Sequence, residues 1–322
     1  MTARYPGAEA WLVRGVIRAK RGEFQTAEQD LQEARKRAGS LSASQQLNLL
    51  TALAEVQLAR GNSAEVAKTH AELAKLAPDA VATRVLAARI AMAAQDYPTA
   101  VAELQRSVTA APDFVAARFL LGAALLAQGN LQQSELHLTQ ALQRAPENLE
   151  ARKLLAQVRL RLGRSDAAMQ VLLPVQQAEV VDPQLDLLLG IAHLQHGEQA
   201  TGIVHLERAA AAQPDNKNMQ MDLAAAYLKA GQGDKAVELL SRMNRADADM
   251  RQATLLIAAL SASKGERAAQ QEVERLLNER PRDVAVLNLG AAFYARDRKF
   301  EPARAIWRSE ERRVGKEYRS RW

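Results

Sequence analysis

A chain of 322 residues, 48% apolar yet only 4% aromatic, has ample material for close packing and little for aromatic-lined pockets. The absence of cysteine excludes disulfides, cysteine-bound zinc and thiol catalysis. The formal net charge of +6 points to nucleic acid only if the basic residues line up in a stripe, and no run approaches the roughly 20 apolar residues of a membrane span.

Met1 to Gly7 has no apolar core of a signal peptide. Pro6-Gly7 falls near the phase of the prolines that end later repeats, so residues 1–7 are expected to be the end of a preceding repeat. A first repeat runs from Ala8 to about Leu41, with Trp11, Gly15, Gly22, Phe24, Ala27 and Leu31 at its marked positions. The Ser-rich stretch Ser40 to Ser44 is expected to lengthen a loop before the register resumes at Leu47.

From Leu47 the chain is periodic. Starts at Leu47, Val81, Val115, Leu149 and Pro183 lie 34 residues apart and tile the sequence to Asn216. The clearest repeat, Val115 to Asn148, predicts a helix from Ala116 to about Gln128, a turn at Gly129-Asn130, a second helix to about Arg144 and a stop at Pro146. Pro78, Pro112, Pro146 and Pro214 share one phase, and Gly61, Gly129, Gly163, Gly197 and Gly231 share another. Ala100, Ser134, Ala168, Gly202 and Ala236 mark a helix contact, with Leu104, Leu138, Leu172, Leu206 and Leu240 four residues on. Gly122 and Ala141 stand where two helices approach closely. Asp79, Asp113, Glu147 and Asp215 are expected at or near the next helix N-terminus, where a negative group suits the dipole. Pro98 suits a first helical turn, whereas Pro174 falls inside a helix and is expected to kink it. The seventh repeat is one residue short and lacks a proline near Ala248. The eighth, about Met250 to Asp283, keeps Ala269, Val273 and Pro281, with Gly265 one place late. Tyr294, Phe300, Ala303 and Trp307 mark the last.

A 34-residue helical hairpin with these residues in phase is identified as a member of the tetratricopeptide repeat (TPR) family, from about Ala8 to Trp307. The resemblance implies an all-α, right-handed α-solenoid of about nine hairpins over residues 8–308, each contacting only its neighbours. It also implies protein binding rather than catalysis. Residues 309–322, SEERRVGKEYRSRW, break the pattern and are similar to a vector- or adapter-derived tail, the alternative being a genuine basic tail.

In this family, positions two, five, nine, twelve and thirteen of each repeat line the concave face. The resemblance therefore implies a partner-binding groove with Val85, Phe119, Lys153, Leu187 and Met221 at position five. Arg89, Gln157 and Ile191 stand at position nine. Position twelve adds Met92, Leu126, Leu160, Leu194 and Leu228, which alternatively serve packing between repeats. Family members that clamp a C-terminal carboxylate use Lys and Asn here, but this chain is mostly apolar apart from Lys153, Arg89 and Asn218. An apolar groove suits a helix or extended apolar segment of another protein.

Other chemistry is weakly represented. His193, His196 and His205 are close enough in sequence for a zinc site, yet His193 occupies the repeat's aromatic position and His196 precedes the turn glycine. No metal or other cofactor is expected. There is no Gly-rich phosphate loop and no nucleophile motif, and Glu103, Glu135 and Glu207 share a phase expected to face solvent. The densest basic segment, Arg152, Lys153, Arg159, Arg161 and Arg164, spans about one helix without an interleaved aromatic, which argues against nucleic acid. The Ala- and Leu-rich stretches Leu120–Gly163 and Leu188–Asn216 look similar to bacterial PEP-CTERM and exopolysaccharide-system TPR lipoproteins. That resemblance implies an envelope or periplasmic location and a role in assembly or export, although the lipidated cysteine of such proteins is missing. The alternative is a substrate-recruiting module of a larger enzyme, such as a glycosyltransferase, in which case the location is cytoplasmic. No oligomeric state follows from the sequence.

Overall fold

Where glycine and proline punctuate the sequence, the chain folds into paired helices. The computed structural model describes residues 7–177, 182–243, 249–296, 300–304 and 306. Residues 1–6, Ala248, Trp307 and the 309–322 tail lie outside the described residues. Hairpins pair α1 (Ala8–Lys20) with α2 (Phe24–Lys36), α3 (Ala43–Ala59) with α4 (Ser63–Leu76), α5 (Val81–Ala93) with α6 (Tyr97–Ala110) and α7 (Val115–Ala127) with α8 (Leu131–Arg144); α9 (Leu149–Arg161) and α10 (Ser165–Gln177) come next in the chain, and α11 (Pro183–His196) pairs with α12 (Gln199–Ala212). Then follow α13 (Lys217–Lys229) with α14 (Gly233–Arg242), α15 (Met250–Lys264) with α16 (Glu266–Glu279), and α17 (Val284–Arg296). Among the described residues there is no strand, and no helix is long and apolar enough to cross a membrane. The fold class is all-α, as the periodicity implied. The first helices α5, α7, α9, α11 and α13 begin at successive 34-residue steps.

By its contacts the chain divides into two compact units, one ending at Leu162 and one starting at Gly163, in the turn between α9 and α10. In the first unit, Leu31, Leu53, Leu73, Leu104, Leu121, Leu125, Leu138 and Leu155 are fully buried. In the second, Leu172, Leu206 and Leu240 occupy the same second-helix register as Leu104 and Leu138. Each such leucine contributes about 1.5–3 kcal/mol through burial, so hairpin pairing rests on this one repeated side chain more than on any polar contact.

The hairpins close around small residues. A Cβ built on Gly122 would lie 2.5 Å from Leu138 Cγ, and one on Gly190 would lie 2.7 Å from Leu206 Cγ. Ser134 Oγ donates across the same contact to the Gly122 carbonyl at 2.7 Å. The turn after α7 has two terminating bonds, from Gly129 N–H to the Leu126 carbonyl and from Asn130 N–H to the Leu125 carbonyl. With Gly129 at φ 81, this is the Schellman arrangement that ends a helix while satisfying its last carbonyls.

Several local expectations are corrected or refined. The Ser-rich stretch does not simply lengthen a loop. Ala38–Ser40 forms a 3-10 turn, and Ser42 with Gln45 forms a reciprocal capping box, so α3 starts four residues before Leu47. Asp79, Asp113, Glu147 and Asp215 lie just outside the helices; capping falls to the next residue at Asn148 and Asn216, which accept from Ala151 and Met219 amides. Pro98 sits in the first turn of α6, as expected. Helix α10 continues through Pro174 to Gln177. Helix α14 has 10 residues where α12 and α16 have 14.

Candidate partner-binding groove

Helical spacing places position five and position nine of each first helix on one face, one turn apart. In the first unit, Val85 and Arg89 on α5, Phe119 on α7 and Gln157 on α9 are half-buried. Lys153 is only 6% exposed and its ammonium pairs with Glu150 at 2.7 Å, so it holds α9 together and is not a free cation for a ligand. In the second unit, Leu187 and Ile191 are half-buried and rest against the core formed by Ile203, Leu206 and Leu223. Met221 is 2% exposed and has no surface to offer a partner. An unbranched thioether fills interior gaps readily, and that is its place on α13.

An open apolar feature lies where the sequence reading named no residues. Along α1 and α3 runs a groove of about 510 Å³ with a floor of Leu12, Val13, Val16, Ile17 and Ala52. Its rim carries Glu9, Gln45, Asn48, Thr51 and Glu55. Leu12 and Thr51 are the position-five residues of their repeats, and Val16 and Glu55 the position-nine residues, so the same register extends back to the first two hairpins. Val13 is 52% and Ile17 46% exposed, although the register of Ile17 is buried as Val56 in α3, Ala124 in α7 and Val158 in α9. The signal in the sequence was that register; what it lacked was any indication that α1 leaves these β-branched side chains uncovered.

The remaining candidates are occupied by structural duties. His193 Nδ1 meets Glu198 at 2.6 Å, His205 Nδ1 meets Asp186 at 2.7 Å, and His196 Nδ1 meets Asp166 at 2.7 Å. The His193 and His205 rings stack with centroids 5.5 Å apart. Each imidazole thus meets a carboxylate, Glu198 lying also 3.7 Å from His196 Nε2, and no group of three or more His, Asp or Glu among the described residues is arranged to hold a metal ion. A second groove of about 400 Å³, between α10 and α11, is floored by Met169, Leu173 and Leu189 and bordered by His193.

The basic segment on α9 is likewise engaged. Arg152 donates to the Pro146 carbonyl at 2.7 Å, and Arg159 pairs with Glu135 at 3.2 Å. Arg118, one repeat earlier, bonds the Pro112 carbonyl at 2.8 Å in the same way, so these arginines tie each repeat-ending turn to the following helix. Sequence reasoning missed that role, though the 34-residue spacing of Arg118 and Arg152 carried it. Glu207 accepts from the Tyr227 hydroxyl at 2.7 Å; burial, followed by this bond, pushes the phenol well above its ordinary pKa.

A family profile described as Tetratricopeptide repeat matches residues 125–191 and 193–260, and a second of the same description matches 85–137; together they cover more than half of the chain. No protein of curated function matches the sequence. Among solved structures the chain is similar to PilW, described as a widely conserved type IV pilus biogenesis factor, at 19% identity and TM-score 0.58 over 65% of this chain and 97% of that one. It is similar to a tetratricopeptide repeat protein from Parabacteroides merdae at 14% identity and TM-score 0.54, over 79% and 98% of the two chains. A chain of the APC/C hetero-tetramer Cut9-Hcn1 matches at 16% identity and TM-score 0.61, over 84% of this chain and 52% of that one. At these identities the likeness carries the fold alone.

Proposed function

The chain belongs to the tetratricopeptide repeat family, and from that premise we propose that it is a scaffold holding an apolar or helical segment of a partner protein against its first helices. Proteins of this fold generally act in protein–protein interaction. The observation that supports a groove mechanism is the apolar channel along α1 and α3, where Val13 and Ile17 lose water only if something covers them. Val85, Arg89 and Phe119 extend the same register within the first unit.

Site-specific photo-crosslinking tests this. A crosslinking residue at Ile17 or Phe119 is expected to capture a partner, while one at the exposed Leu136 of second helix α8 is not. Equal capture at Leu136 overturns the groove mechanism. The finer form of the proposal, a role in bacterial envelope assembly or export, is supported by the likeness of Leu120–Gly163 and Leu188–Asn216 to envelope lipoproteins. Fractionation of cells expressing the full open reading frame checks it, and recovery in the cytosol alone sinks it.

A further inference from the structure

Ion pairing in the first three hairpins is nearly complete, with a local exception. Every acidic residue from Glu23 to Glu103 other than Glu55 is either paired with an arginine or lysine or, as Asp96, caps a helix. Even the buried Asp30 is satisfied by Arg14 and Arg18 at 2.7 and 2.8 Å. Among the described residues, the carboxylates of this region with neither a cation nor a helix end to cap are Glu9 and Glu55. Both stand exposed on the rim of the α1–α3 groove. Glu9 is steadied there by the neutral amide of Gln45, which donates at 3.1 Å and leaves the negative charge uncompensated.

We propose that the α1–α3 groove selects a cationic amphipathic helix of a partner protein, with Glu9 and Glu55 receiving its basic side chains; this rests on the groove function proposed above. The floor residues Leu12, Val13, Val16 and Ile17 follow three- and four-residue spacing over about one and a half turns. That surface takes an apolar stripe repeating at i, i+3 or i+4, and i+7 from the other side. Helical residues flanking such a stripe fall over the rim, so the rim charge decides which flank is accepted. An acidic helix would set like charges beside Glu9 and Glu55, and a neutral one would desolvate them without compensation. The chain as a whole is formally +6, so its overall field does not favour a cationic partner. The attraction is local to this rim.

The test uses the full chain and two labelled 14-residue helical peptides with the same leucine stripe, one carrying lysine and the other glutamate at the flanking positions. Fluorescence anisotropy is expected to show the lysine peptide binding about tenfold or more tightly, with affinity falling as salt rises. Glu9→Gln/Glu55→Gln is expected to weaken it by about fivefold per lost pair at most, and Glu9→Lys/Glu55→Lys to reverse the preference. Both residues are exposed, so the melting curves of these variants are expected to match the parent's. Val13→Ser/Ile17→Ser removes the floor without changing charge and is expected to abolish binding of both peptides. If it does so while the glutamate variants leave the preference unchanged, the groove stands and cation selection is wrong. If the lysine peptide binds the floor variant as well as the parent, or the parent binds neither peptide, both the groove and the selection fall.

Discussion

The adjacent hairpins α5/α6 and α7/α8 solve one packing problem in two ways, and the difference shows what the repeat holds constant. Both bury a leucine at the same second-helix position, Leu104 and Leu138. Facing it, α5/α6 has Ala88 and α7/α8 has Gly122; beside it stand Ala100 and Ser134. Only the second hairpin adds a buried hydroxyl-to-carbonyl bond, from Ser134 to Gly122. The turns differ as well. Gln95 takes the place of Gly129 yet makes the same two terminating bonds, with its N–H reaching the Met92 carbonyl and that of Asp96 reaching Ala91. Its φ of 60 is left-handed, which costs a side-chain-bearing residue about 1 kcal/mol that glycine avoids. Leucine and turn geometry are invariant between the two; the small residues around them adjust.

The largest effect is expected from removing the invariant part. Leu138→Ala should destabilise by about 2–5 kcal/mol in urea unfolding, and Leu104→Ala by less, because no Cβ at Gly122 stands ready to fill the vacated space. Equal losses would show that the two contacts relax alike. Next comes the small residue itself. Gly122→Ala ordinarily gains about 0.5–1 kcal/mol in helix propensity, but here the new methyl meets the branch point of Leu138 at 2.5 Å. Overpacking of this kind costs about 1–3 kcal/mol, so the net change should be destabilising. A stabilised variant would mean that the helices yield to the added methyl at little cost.

Exchanging the turn residues should act in opposite directions. Gln95→Gly is expected to raise stability by about 1 kcal/mol and Gly129→Gln to lower it by a similar amount, both read from the melting midpoint. The smallest effect concerns pH. At the position of Glu103, α8 carries His137, whose pKa is lowered by burial and then by the Arg118 charge. The unfolded chain therefore binds this proton more readily than the folded one. The stabilising contribution of the neutral ring is complete above the ordinary value of 6.5 and is lost as pH falls from there through the depressed folded value. His137→Gln, which cannot titrate, should show a shallower decline in melting midpoint between pH 7 and 5. An unchanged slope would show that the His137 ring contributes nothing to the decline.

Periodicity carries such contrasts because a repeat is defined by which positions tolerate no change. The 34-residue phase by itself determined the all-α hairpins, their starts at Val81, Val115, Leu149 and Pro183, and the burial of Leu138 and Leu206, since each depends on contacts within one hairpin or its neighbour. Local chemistry overrode the phase at Ser42, where a capping box lengthened α3 into the expected loop. Only the tertiary structure decided which groove-register side chains are available to a partner. Lys153 and Met221 share their position with Phe119 and Leu12, yet a carboxylate one turn away engages the first and surrounding helices enclose the second. Ile17 shares its register with Val56 and remains open. A residue's phase says which way it points; what comes to lie over it depends on neighbouring helices.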